Sequence, residues 1–310
     1  MIPVIIMHTS NFLTDLESIN YFQINQQTYT LIKRYKLKQR YDISICLKNT
    51  IKPILIKLHY NIWWNNINIP DIPISVTDIE FRHFSSSVDE LFFKNITTLN
   101  LGDDFNYSID KLPKSLTCLT LGIHFNTLVD HLPNSLLYLQ FDEYFNKPID
   151  HLPNSLTHLQ LGIEFNQMVD HLPNSLTYLE LSIEFNKPLD CLPKTLTELD
   201  IRGKFNQPID NLPNSLIKLT LGYDFNLSID QLPSSLTNLT LGTEFNLPID
   251  YLPKYLTNLY MGHYFNQPIN HLPTSLIYLQ LGQCFKQPIE HLSGSIVIKH
   301  YLGPIVEIVD

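Results

Sequence analysis

The 310 residues carry a net charge of −9, unevenly spread: +5 over residues 1–60 and −14 over residues 61–310, which predicts a small basic head before a long acidic body. No stretch reaches about 18 uninterrupted apolar residues, so no membrane span is expected. Cys46, Cys118, Cys191 and Cys284 lie far apart, which argues against a disulfide framework or a zinc module and points to reduced thiols.

The N-terminal run from Met1 to Met7 is apolar but lacks a basic start and a small-residue cleavage site, a poor match to a secretory signal. Three short helices are predicted over about 3–12, 15–23 and 25–36. Thr14-Asp15-Leu16-Glu17 reads as a capping box, and Asn25 caps the third helix. Lys33, Arg34, Lys36, Lys38 and Arg40 then form a basic run. A solvated helix face accounts for it better than a nucleic-acid patch, because the acidic body repels phosphate. Residues 1–45 are assigned to this helical module. Residues 46–100 are assigned to a connector with degenerate coils, Ile72 to Phe81 and Phe92 to Leu101.

From Leu101 to His300 a twenty-residue unit, L-G-x-x-F-N-x-P-I-D-x-L-P-x-S-L-T-x-L-x, recurs ten times without a gap. A short fixed period means stacked units sharing one continuous core. Counting columns from Leu101, column one is always large and apolar, and column nineteen is leucine in nine units, failing at Lys299. This L-x-L pattern predicts one short parallel strand per coil with one buried face. The expected fold is a β-rich solenoid, a right-handed coil with one parallel sheet, and residues 301–310 form a C-terminal cap.

Phenylalanine fills column five in all ten units and predicts an aromatic spine. Asparagine fills column six in nine and is expected to be buried, bonding loop backbone. On that basis the sequons at Asn106 and Asn226 are coincidences of the repeat. Leu-Pro in columns twelve and thirteen sets an extended step into a tight bend. The aspartates of column ten fit an Asx-type cap better than a calcium ladder, since the glycine-rich nonapeptide of calcium rolls is missing. The histidines of column eleven share it with Lys111, Cys191, Asn211, Gln231 and Tyr251, so it behaves as a tolerant surface site. No phosphate loop, metalloprotease motif or nucleophile elbow occurs. No catalytic residue, cofactor or metal ligand is therefore assigned.

Columns eighteen and twenty alternate with buried positions and must point outward, with Tyr144, Tyr223, His263 and Tyr264 of columns three and four continuing that face. Their mixture of tyrosine, histidine, glutamine and charge suits protein recognition. Tyr138, His158, Tyr178, Glu198, Lys218 and Tyr278 are the candidate partner-binding residues.

Phe205-Asn206-Gln207-Pro208-Ile209, followed by Leu-Pro-x-Ser-Leu-Thr, resembles the FNIP repeat, a leucine-rich-repeat relative found in social amoebae and giant viruses of amoebae. The alanine-free, AT-rich-looking composition agrees with such a source. The head, with Ile2-Pro3, Phe12-Leu13, Glu17, Ile19, Ile24 and Tyr29, is similar to a diverged F-box, although Ile5 stands where that family has an acid. That resemblance implies that Pro3, Phe12, Leu13, Ile19, Ile24 and Tyr29 dock the linker subunit of a cullin-type ubiquitin ligase while the solenoid selects a protein target. The alternative is a plain scaffold whose head only caps the solenoid. Either way the expectation is a non-enzymatic protein, cytoplasmic (in the host, for a viral chain) or nuclear, binding neither nucleic acid nor membrane.

Overall fold

A computed structural model describes residues 60–62, 77–81, 84–85, 87–88, 95–292 and 294–300. The predicted helical module of residues 1–45, with Pro3, Phe12, Leu13, Ile19, Ile24 and Tyr29, and the segment 301–310 lie outside these.

The chain divides into two compact units, residues 1–127 with 132–136, and residues 128–131 with 137–310. In the first, four strands pair in parallel in chain order: β1 (Tyr60–Ile62), β2 (Asp78–Phe81), β3 (Thr98–Asn100) and β4 (Cys118–Leu121). In the second, nine follow: β5 (Tyr138–Phe141), β6 (His158–Gln160), β7 (Tyr178–Leu181), β8 (Glu198–Ile201), β9 (Lys218–Thr220), β10 (Asn238–Thr240), β11 (Asn258–Tyr260), β12 (Tyr278–Leu281) and β13 (Val297–His300). Their register follows the sequence period: Leu159 sits opposite Leu179, and Leu179 opposite Leu199. The protein is a parallel β-solenoid, and no α-helix occurs among the described residues.

The L-x-L pattern does what its period requires. In β7 the side chains of Leu179 and Leu181 are buried, while Tyr178 and Glu180 stay half-exposed on the other face. Behind the sheet the phenylalanine column forms the expected spine. Phe145, Phe165, Phe185, Phe205, Phe225, Phe245 and Phe265 are 0–1% exposed. Successive rings from Phe145 to Phe265 lie nearly parallel with centroids 6.0–6.4 Å apart, an offset stack. In the first unit Phe84, Phe105 and Phe125 stack the same way.

Two tight turns close each regular coil. The column-sixteen amide donates to the proline carbonyl, as from Leu176 to Pro173 at 3.1 Å, which is the bend that Leu-Pro predicts. The column-five amide donates to the carbonyl of column two, as from Phe165 to Gly162 at 3.3 Å. Serine and threonine tie neighbouring coils together. Ser175 Oγ donates to the Leu156 carbonyl at 2.6 Å, and Thr177 Oγ1 to the Thr157 carbonyl at 3.1 Å.

Three expectations need correction. The column-six asparagines are half-exposed or exposed rather than buried. From Asn146 to Asn266 each offers its side-chain oxygen to the backbone amide of the next coil, as in Asn186 N–H to Asn166 Oδ1, Asn206 to Asn186 and Asn226 to Asn206, at 3.1–3.2 Å. The requirement is an acceptor for an amide that no strand satisfies, and that requirement can be met at the surface. Lys286 N–H still donates to Asn266 at 2.8 Å, although its own side chain passes nothing on. Burial therefore gives no reason to dismiss the sequons at Asn106 and Asn226, both exposed.

In column ten two aspartates reach the following coil: Asp190 Oδ1 accepts from Asn211 Nδ2, and Asp250 Oδ1 meets His271 Nδ1, both at 2.9 Å, whereas Asp110 Oδ2 accepts from Ser108 Oγ in its own turn at 2.8 Å. Finally, the last coil is one residue short. Val297 pairs with Tyr278 and Ile298 with Leu279, so Ile298, not Lys299, takes the core position. Ser293 and Gly294 replace the proline and polar residue of the other bends there, and Leu292 N–H donates to the Ile289 carbonyl at 3.0 Å in the turn before it.

Candidate recognition face

The outward side of β5 to β9 collects five of the six candidate residues. Tyr138, His158 and Tyr178 stack edge-up along the sheet, with ring centroids 6.3 and then 5.8 Å apart. Their shared column forces this, because parallel in-register strands set identical columns about 4.8 Å apart. Thr157 Oγ1 lies 2.9 Å from His158 Nδ1. Glu198 and Lys218 pair at 3.4 Å, both about half-exposed. Tyr278 stands apart on β12, against Tyr260 at 5.2 Å and 5.8 Å from Lys299 Nζ. Of the column-three and column-four residues, Tyr144 and Tyr264 are exposed on the turn after the strand, while Tyr223 and His263 are half-buried.

Beneath this row runs a polar network built from column twenty. Tyr138 hydroxyl donates towards Gln140 Oε1 at 2.9 Å and also contacts Gln160 Oε1. Gln160 Nε2 and Tyr178 hydroxyl both donate to Glu180 Oε2 at 2.8 Å. Arg202 then reaches Glu180 Oε1 at 3.5 Å and Asp200 Oδ2 at 3.2 Å. Burial raises the Tyr178 hydroxyl well above its ordinary pKa, and the bond to Glu180 adds to it, so this hydroxyl is a permanent donor. Burial likewise raises Asp200, with the Arg202 guanidinium opposing the shift.

Glu180, Asp200 and Arg202 were not singled out by sequence, yet a signal was there. Arg202 occupies a column that is glycine in seven of ten units, and it is the one arginine of the array. The glycine has moved to Gly203, at φ 72°, a left-handed turn that an L side chain rarely adopts.

The turn side offers a weaker alternative. An open depression of about 900 Å³ is lined by Asp150, His151, Asp170, His171, Asp190 and Cys191, among others. Among the described residues no three His, Cys, Asp or Glu side chains converge in a metal-binding geometry.

Family comparison matches the FNIP Repeat model over residues 125–163, 145–171, 165–204, 205–244 and 245–284. These matches run unbroken over slightly more than half of the chain. The chain belongs to the FNIP repeat family. Among solved structures it is similar to CroV588, described as a novel circular LRR protein, at 34% identity and a TM-score of 0.56, over 79% of this chain. It spans 46% of that protein's length. YopM from Yersinia enterocolitica WA-314 is a more distant likeness, at 20% identity and a TM-score of 0.33, over 67% of this chain and 65% of that one. No curated protein matches. The FNIP solenoid is thus leucine-rich-repeat-like in its parallel sheet and coil.

Proposed function

We propose that this FNIP protein is a non-enzymatic binding protein that selects a protein target through the outward face of β5 to β9. The observation that carries this is a contrast between columns. The inward ones are nearly uniform for packing, whereas Tyr138, His158, Tyr178, Glu198 and Lys218 differ in chemistry from coil to coil on one accessible row. A repeat that only needed solubility would have no use for stacked tyrosines there, and tyrosine is a common interface anchor. We further propose that residues 1–45 couple the solenoid to the linker subunit of a cullin-type ubiquitin ligase. Their support is the F-box-like series Pro3, Phe12, Leu13, Ile19, Ile24 and Tyr29.

Affinity capture with the full chain tests both halves. The Tyr138→Ala, Tyr178→Ala double variant, folded by circular dichroism, is expected to lose its target by about tenfold or more, as for interface aromatics worth about 2 kcal/mol. Unchanged capture would move the binding site off this face. Recovery of a cullin and its linker with the wild type supports the adaptor role; target without either leaves a plain scaffold.

A further inference from the structure

The polar network on the sheet face ends on an incomplete group. Asp200 Oδ1 is buried and has no hydrogen-bond partner among the described residues. Its other oxygen shares Arg202 with Glu180, at contacts of 3.2 and 3.5 Å that are long for a guanidinium–carboxylate pair. Lys218 is engaged by Glu198. Three carboxylates, Glu180, Asp200 and Glu198, therefore face two cations, Arg202 and Lys218, within an acidic body of −14 over residues 61–310. A half-dry carboxylate with one oxygen unmet is costly, and burial already pushes Asp200 towards its neutral form.

Resting on the reading of this face as the recognition surface, we infer that the target segment docked there is basic, with a lysine or arginine head group that completes Asp200. The side chain of Arg202 is 42% exposed. When the incoming cation arrives, Arg202 turns fully to Glu180, and both oxygens of Asp200 accept from the target. Two carboxylates then face two cations, and the buried oxygen gains its donor. The stacked Tyr138, His158 and Tyr178 flank this point and line the bound segment. The acidic surroundings steer a cationic segment inward, an effect that weakens with added salt.

In this arrangement Arg202 is an internal competitor, so substitutions at the two residues act in opposite directions. The probe is a fluorescein-labelled dodecapeptide of alternating arginine and serine, with glutamate–serine and all-serine peptides as controls, titrated by anisotropy into the full chain. The arginine peptide is expected to bind, and to bind less at higher salt. Asp200→Asn is expected to weaken it by about tenfold, the loss of one charged hydrogen-bonded pair. Arg202→Gln is expected to strengthen it. Should Asp200→Asn fail to fold, Glu180→Gln replaces it: released from Glu180, Arg202 closes on Asp200 and weakens the peptide. Preference for the glutamate peptide, equal binding of all three, or weakening by Arg202→Gln overturns the inference. If the arginine peptide does not bind while the Tyr138→Ala, Tyr178→Ala variant still loses its target, the inference falls and the recognition face stands. If that variant keeps its target, both fall.

Discussion

Replacing Phe185 with alanine is expected to destabilise the protein by about 3–5 kcal/mol, the usual cost of emptying a buried aromatic site. The ring is fully buried between Phe165 at 6.4 Å and Phe205 at 6.1 Å, so the variant also loses two stacking contacts of about 0.5–1.5 kcal/mol each, partly counted in the same figure. In a solenoid each coil touches only its neighbours, so a hole in mid-array weakens the coupling between the coils on either side. Urea unfolding followed by circular dichroism is expected to show a lower midpoint and a broadened or split transition. Phe285→Ala is the internal comparison. That ring is 8% exposed and stacks on Phe265, so its loss is expected to cost less and to leave the transition single. Equal losses at the two positions would show that the spine does not couple the coils.

Gly242→Ala is expected to cost about 3 kcal/mol although it adds a single methyl. A Cβ at Gly242 would fall 1.6 Å from the Gly222 carbonyl oxygen and 2.4 Å from its carbon. Backbone stands in the way, so the strain cannot be relieved by a rotamer change and the coil itself must move. Ser182, which shares this column with Asp142 and Arg202, has its hydroxyl anchored by a 2.6 Å bond to the Phe165 carbonyl, a contact that alanine cannot make. Gly294→Ala is the control, since nothing lies within 4 Å of its added Cβ. Thermal melts are expected to show a clear drop for Gly242→Ala and almost none for Gly294→Ala.

Where one side-chain type explained a column by itself, the fold was legible in the sequence. Phe105 to Phe285 and the leucines of column nineteen can only be core, and their period of twenty matches the parallel register from β5 to β12. Columns whose purpose lies in a neighbouring coil were harder. A repeated polar residue such as the asparagine of column six suggests an interior network. Its partner is a backbone amide twenty residues on, which no residue type advertises. The slip in the last coil shows in the sequence only as a misfit: the unbroken period puts Lys299 at the core position, where Ile298 sits. On the recognition face, the alternation placed Tyr138, His158 and Tyr178 outward. The link from Glu180 through Arg202 to Asp200 depends on which neighbouring coil a long side chain reaches, which residue types alone do not state.

The central claim is that the sheet face of β5 to β9, rather than the turn side, meets the target. Site-specific photo-crosslinking tests it most directly. A benzophenone amino acid is placed at His158 on the sheet face or at His171 in the turn-side depression, both exposed, and irradiated with the captured target. The expected result is a covalent adduct from position 158 and none from position 171. An adduct from position 171 alone would contradict the claim and place recognition on the turns.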